Sequence, residues 1–193
     1  MALRGRGFVS VGAVVACCAL ASACSLDQSP ASTPSPTPVA ITPAESQIER
    51  QMRLDYEAAE EAYRANMAEQ DRQSQLGIAV KTEELTSSAS DNYLVFVLQV
   101  LRDIRDSGWR ARGTTTIRGV ARGGWKEGQV RLSACEDNSA VTFVDKDGKD
   151  VTPKNGVRTY VQDLTVNRVR GGWKVSDVES RPVKNHEGVP CGA

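Results

Sequence analysis

Near residue 108 the hydrophobic period of this chain changes, and that change constrains its fold more than any other feature. Upstream, Ile48, Met52, Tyr56, Ala59, Tyr63 and Met67 recur every three or four residues, with Glu49, Asp55, Glu57, Glu60, Glu61 and Arg64 on the opposite face. One apolar stripe on a helix of about thirty residues means one covered side. Pro43 suits its first turn and Gly77 its end. The stripe lasts only about three heptads and lacks Leu or Ile at most core positions, which argues against a coiled coil. Thr82-Glu83-Glu84-Leu85 reads as the capped start of a short second helix. Ser90 or Asp91 can cap a third, Tyr93 to Asp106, stopped by Ser107-Gly108. Its YLVFVLQVL run also fits a buried strand. The RDIRD that follows favours helix, because Leu94, Val97, Leu98, Leu101 and Ile104 then share one broad face.

From Trp109 the period is two. Thr114 to Ala121, Gln129 to Cys135, Ala140 to Asp145, Val157 to Val169 and Trp173 to Val178 are rich in Val, Thr and Ile and bounded by turn residues. Gly123-Gly124, Asp147-Gly148 and Gly171-Gly172 mark tight turns. Helices followed by an antiparallel meander make an α+β fold with segregated layers. Arg-Gly-Gly-Trp-Lys occurs at 122–126 and again at 170–174. Both copies read as hairpin turns with a Trp opening the next strand.

The first residues are of another kind. Arg4 and Arg6 precede an apolar run from Phe8 to Leu20 and then small residues, the pattern of an export signal too short to span a bilayer. With Cys24 directly after Leu20-Ala21-Ser22-Ala23, the segment resembles the lipobox of bacterial lipoproteins. That resemblance implies cleavage before Cys24 and lipidation of it. Cys17 loosely fits the same pattern, but a cut there leaves an apolar core of only about seven residues. Residues 25–43 alternate proline with Ser and Thr, an extended tether up to about 60 Å long at about 3.1 Å per residue. The expected organisation is a leader at 1–23, a lipidated linker at 24–43 and one domain at 44–193, held on the extracytoplasmic face of the cell membrane through Cys24.

The chain is formally neutral, and loss of the leader arginines leaves 22 bases against 24 acids. Nothing in that balance suits nucleic acid. Charge is uneven, however: residues 45–71 hold eight acids and three bases, while 102–131 hold eight bases and three acids. A basic sheet edge of that kind can dock an anionic wall polymer or lipid head group. Cys17 and Cys18 leave with the leader. Cys135 and Cys191 remain as an even pair in an oxidising compartment, which predicts a disulfide worth about 4 kcal/mol by chain entropy. The alternative, a nucleophilic Cys135 served by His186, leaves Cys191 unexplained.

A long amphipathic helix, two shorter helices and a bent antiparallel sheet ending in a Gly-Gly-Trp-x-Val hairpin resemble the nuclear-transport-factor-2-like cone. Exported actinobacterial lipoproteins of that superfamily have stretches similar to three in this chain. These are Ala59-Glu60-Glu61-Ala62-Tyr63-Arg64, Cys135-Glu136-Asp137-Asn138-Ser139 and Val144-Asp145-Lys146-Asp147-Gly148. The resemblance covers roughly residues 45 to 193. It implies a sheet curved around an apolar pocket and no particular activity, since the superfamily mixes isomerases and cyclases with members of no known chemistry.

No family catalytic motif matches here. His186, the only histidine, sits in a polar tail. Tyr56, Tyr63 and Tyr93 can present hydroxyls to a cavity, and a buried Asp163 beside them would complete an isomerase-like site. Asp145 to Asp150 misses the calcium-loop spacing, and no zinc, phosphate-loop or other cofactor motif is present. The leading expectation is a non-enzymatic binding or accessory module for a small apolar ligand or an envelope partner. The alternative is a small isomerase or cyclase using tyrosine and a buried carboxylate.

Overall fold

The computed structural model describes residues 45–183 together with Pro190 and Cys191. The leader, Cys24, the proline-rich segment and His186 lie outside the described residues. Three helices, α1 (Gln47–Leu76), α2 (Glu83–Ser88) and α3 (Asp91–Asp106), precede six strands. The strands are β1 (Arg110–Arg112), β2 (Thr116–Lys126), β3 (Gln129–Asp137), β4 (Thr142–Val144), β5 (Thr159–Val169) and β6 (Gly172–Pro182). Helices pack against a curved antiparallel sheet, the α+β arrangement expected from the change of period.

Helix α1 starts at a capping box. Ser46 Oγ accepts from the Glu49 backbone N–H (3.2 Å), and Glu49 Oε2 accepts from the Ser46 N–H (2.8 Å). That start replaces the one expected at Pro43, which lies outside the described residues. Gly77 closes the helix in the left-handed region, at φ 65°. Tyr56, Ala59 and Tyr63 of the stripe are buried and Met52 and Met67 pack on its margin, but Ile48 stays exposed. The buried face is wider and more polar than the stripe. Asp55, placed on the solvent face by the sequence pattern, is buried and accepts from Gln51 Nε2 (2.7 Å) and Trp125 Nε1 (2.9 Å). Farther along, Gln73 clamps the returning chain: its Nε2 donates to Val80 O and its Oε1 accepts from Val80 N, both at 2.9 Å. Buried Glu69 accepts from Arg72 (2.6 Å), Gln73 (2.8 Å) and Thr82 Oγ1 (2.8 Å).

The 91–106 segment is helical, as the charged RDIRD end implied. Ser90 occupies the N-cap without a side-chain cap bond, and Asp91 takes a positive φ of 49°. The sheet holds this junction instead. Ser90 N donates to Val175 O (2.9 Å), Ala89 bridges Val175, and Lys174 Nζ reaches Thr86 O (2.5 Å).

The strands depart from a simple meander. The main sheet runs β2-β3-β5-β6, all antiparallel, whereas β4 leaves it to pair with β1. The two Arg-Gly-Gly-Trp-Lys copies also differ. The β5–β6 turn is Arg170-Gly171, one residue earlier than the expected Gly171-Gly172, with Gly172 opening β6 opposite Val169. Gly123-Gly124, by contrast, lies inside β2 at a register shift between Arg122 and Trp125, and the turn proper there is at Glu127-Gly128. The irregularity is docked on α1. Tyr56 Oη donates to Gly123 O (2.6 Å), Arg122 lies 5.2 Å over the Tyr56 ring, and Trp125 reaches Asp55. A bulge that re-aims a strand toward a partner has no composition different from a Gly-Gly turn.

Val130, Leu132 and Ala134 of β3, Leu164 and Val166 of β5 and Val175 of β6 meet the helices in the main core. A second, small cluster joins Cys135, Val161 and Cys191 on the other face. There Cys135 and Cys191 form the expected disulfide, with Cα atoms 5.1 Å apart. Gly119 admits this arrangement: a Cβ there would lie 2.6 Å from Pro190 O. Replacing both cysteines by serine is expected to cost about 2–5 kcal/mol in denaturant unfolding.

Acid should unfold the domain over a definite window. Hydrogen bonds from Arg72, then Gln73 and Thr82, hold Glu69 down at about 2, against the burial that opposes them. Burial pushes Asp137 up, but Ser139 and Arg118 outweigh it and hold that group at about 2 as well. Both groups bind protons more readily when unfolded. Their stabilisation is therefore complete above roughly pH 4.5 and lost as pH falls toward 2. Glu136 and Asp71 are shifted upward and partly offset that loss. Glu69→Gln should cost about 1–3 kcal/mol at pH 7 and flatten this acid limb in unfolding measured against pH.

Candidate functional site

Side chains alternate along β3, and the alternation carries a carboxylate into the interior. Val130, Leu132 and Ala134 face the helices, so Glu136, two residues on, faces them too and is only 6% exposed. Its Oε1 accepts from the Tyr63 hydroxyl of α1, and its Oε2 accepts from Gln162 Nε2 of β5 (2.8 Å). Gln162 is oriented in turn by the Ser180 hydroxyl of β6, which donates to its Oε1. The hydrogen bonds thus run from β6 through β5 to Glu136 and on to α1.

Glu136 and Gln162 border a cavity of about 580 Å³. Tyr93, Phe96 and Val100 of α3 form one wall, with Phe143, Val157 and Tyr160 among the residues opposite. Phe96 is 51% exposed and Val157 43%, so apolar side chains also rim the mouth. Beside Glu136 the polar part of the lining includes Gln70 and Asp71 of α1. Asp71 is fixed by Thr115, whose N–H (2.9 Å) and hydroxyl (3.1 Å) both donate to it. Such a cavity, mostly apolar with a few convergent polar groups, has the size and make-up of a small-molecule site.

Burial sets the electrostatics. It pushes the Glu136 carboxyl above the ordinary range against the Tyr63 and Gln162 hydrogen bonds, and the Asp71 charge adds to the rise. Asp71 is raised by burial against the two Thr115 bonds. Burial and the neighbouring Glu136 charge push the Tyr63 and Tyr93 hydroxyls well up, so both stay protonated. Tyr93 Oη accepts from Gln70 Nε2 (3.2 Å), and among the described residues its own proton has no acceptor. The floor therefore offers a hydroxyl donor in Tyr93 and carboxyl oxygens each with a lone pair to spare. Among the described residues no three His, Cys, Asp or Glu side chains converge as metal ligands.

Of the four residues the sequence offered for a pocket, the structure gathers two. Tyr93 lines the cavity, and Tyr63 stands behind Glu136 as its donor. Tyr56 does not belong, because its hydroxyl is spent on Gly123 O at the β2 bulge. Asp163 does not belong either. It shares the outer face with Val161, accepts from the Ser133 hydroxyl and from Arg181 Nε (2.9 Å), and its side chain is 38% exposed. Glu136, Gln162 and Asp71 were missed. The signal for Glu136 was available: Val130-x-Leu132-x-Ala134-x-Glu136 places it in phase with three core residues. In the Cys135-x-Asp137-x-Ser139 motif, Asp137 Oδ1 accepts from Ser139 N (2.9 Å) and its Oδ2 from Arg118 Nε (2.7 Å), a structural role at the strand end.

No family model and no curated protein matches this sequence. Among solved structures the chain is similar to a candidate aromatic ring hydroxylase from Novosphingobium aromaticivorans, at 13% identity, covering 68% of this chain and 91% of that one, with a TM-score of 0.50. Weaker likenesses are to the intermembrane space region of the chloroplast protein ARC6 and to Aln2 from a Streptomyces species. The first has 15% identity, covers 67% of this chain and 98% of that one, and has a TM-score of 0.44. The second has 14% identity, covers 66% and 89%, and has a TM-score of 0.40. At such identities the likeness concerns fold alone, and that fold is compatible with a nuclear-transport-factor-2-like cone.

Tyr63→Phe removes a donor that favours the ionised Glu136. The Glu136 carboxyl is therefore expected to titrate at higher pH than in the wild type, as read from side-chain carboxyl chemical shifts, with a stability loss of about 1–2 kcal/mol.

Proposed function

We propose that this chain is a lipid-anchored extracytoplasmic protein whose cone domain binds a small, largely apolar molecule, with the polar end of that molecule at Glu136. The observation that carries the binding reading is the cavity of about 580 Å³, apolar in its walls and mouth and polar at Glu136, Gln162 and Tyr93. A ligand hydroxyl or amine would donate to Glu136 while accepting from Tyr93. Anchoring rests on the lipobox-like Cys24 and the leader before it. The Cys135–Cys191 disulfide supports it, since such bonds persist in exported proteins.

A second reading has specific support. Glu136 with a raised affinity for its proton, next to a Tyr93 hydroxyl whose proton has no acceptor among the described residues, is a pairing suited to proton transfer, as in an isomerase or cyclase. Hydrogen exchange at carbon separates the two. A bound molecule recovered from D₂O without deuterium marks a binding protein; one that gains deuterium with the wild type but not with Glu136→Gln marks an enzyme.

Two outcomes are expected. Native mass spectrometry of the purified protein should show a co-purifying apolar compound that is lost in Val178→Trp, which fills the cavity from β6. Cys24→Ala should move the protein from the membrane fraction to the soluble one, and a variant still found lipidated would overturn the anchoring.

A further inference from the structure

Strand β1 is only three residues long, and its two arginines stand on one side. Ala111 between them is buried, so Arg110 and Arg112 both project outward. They border a groove of about 550 Å³ between β1, the ends of α1 and α3, and the turn after β4. Arg105 and Lys146 complete a set of four cations around it, and the half-buried Trp109 ring lies in its wall, 6.0 Å from the ring of Phe143. The groove shares only Ala111 with the cavity lining.

These cations are poorly matched inside the protein. Among the described residues neither the Arg110 nor the Arg112 side chain makes a hydrogen bond or ion pair. Arg105 and Lys146 pair only with exposed neighbours, Asp106 and Asp147, and such surface pairs contribute little. The single acid of the lining, Asp145, turns its Oδ1 into its own hairpin, accepting from Asp147 N (2.9 Å) and Lys149 N (3.0 Å). The dipole of α1 accounts for one of the cations. That helix has no base in its last turn, and Arg110 lies across its C-cap, where a Gly77 Cβ would sit 3.1 Å from Arg110 Cγ. It does not account for Arg112, which leans over Gly148, or for Lys146 on the turn.

We propose that this groove binds a segment of an anionic saccharide polymer, its acidic groups held by Arg110, Arg112 and Lys146 and a sugar ring laid on Trp109. The cations supply long-range attraction, and the indole supplies a flat apolar face with an N–H at its edge, a surface that suits the C–H face of a sugar. A bilayer surface fits less well, because the charges sit in a concavity and none of the large exposed apolar side chains lines it.

The test uses the full chain carrying Cys24→Ser, so that no lipid anchor contributes, titrated with oligogalacturonate. Neutral malto-oligosaccharide, polyglutamate of equal charge and phosphatidylglycerol vesicles serve as comparators. Oligogalacturonate should bind, weaken as salt rises and quench tryptophan fluorescence. Arg110→Gln with Arg112→Gln should lower affinity at least tenfold. Lys146→Gln, on an exposed turn where folding is not at stake, should lower it severalfold. Arg131→Gln, an exposed cation of β3 outside the groove, should leave it unchanged, and Trp109→Leu should weaken oligogalacturonate but not polyglutamate. Polyglutamate bound as tightly as the glycan, vesicles bound in its place, or affinity unmoved by both Lys146→Gln and the arginine pair would each overturn the proposal.

Discussion

Strand β3 presents Val130, Leu132, Ala134 and Glu136 to the helices while Cys135 and Asp137 face the other way, and most of the domain follows from that division. On the inner side the apolar members hold the helices, and the last one, being a carboxylate, requires polar company. Tyr63 from α1 and Gln162 from β5 supply it, each satisfying one oxygen. A buried carboxylate without them would cost more than the neighbouring valines return. The Tyr63 bond also fixes how deep α1 sits, because a hydroxyl hydrogen bond tolerates far less displacement than an apolar contact. On the outer side Cys135 is tied to Cys191 one peptide bond away from Glu136, so the covalent staple and the polar floor brace the same stretch of backbone.

The cavity and the groove lie on either side of Ala111 and differ in character. The cavity is apolar with two carboxyls near its floor, Glu136 and Asp71, whose ionisation burial disfavours. The groove is open and lined by cations. An apolar molecule would be drawn to the first by desolvation, and a polyanion to the second by charge, so the two can be occupied independently.

How much of this could be read from the residues depends on the range over which each signal acts. The helices and their order were legible because a 3.6-residue period persists through 48–67 and the RDIRD end resolves the ambiguity of the third helix. The disulfide was legible from the two cysteines that remain once the leader and Cys24 are set aside, in a chain read as exported. The β2 bulge was not: Gly123-Gly124 has the composition of a turn, and what keeps it in a strand is Tyr56 and Asp55, 67 and 70 residues away. The site was half legible. Tyr63 and Tyr93 follow from the apolar pattern, whereas Asp163 lies outside the core because Leu164 and Val166 fix the opposite phase for it. Strand parity applied to every carboxylate would have exchanged Asp163 for Glu136. Asp55 and Glu69 went unrecognised as interior groups because a helical wheel assigns charge to solvent unless the partner, Trp125 or Thr82, is already known.

Helix α1 carries a consequence for the order of assembly. Its polar contacts to the sheet, Tyr56 to Gly123, Asp55 to Trp125 and Tyr63 to Glu136, span 67 to 73 residues. Local bonds, the capping box, Gln51 to Asp55 and the Gln73 clamp, can shape the helix and its return early, but nothing within the following thirty residues satisfies Tyr63 or the second oxygen of Asp55. The helix that comes first among the described residues therefore completes its docking only after the β2–β3 hairpin exists. Closure of that long loop is then a step the folding rate must include.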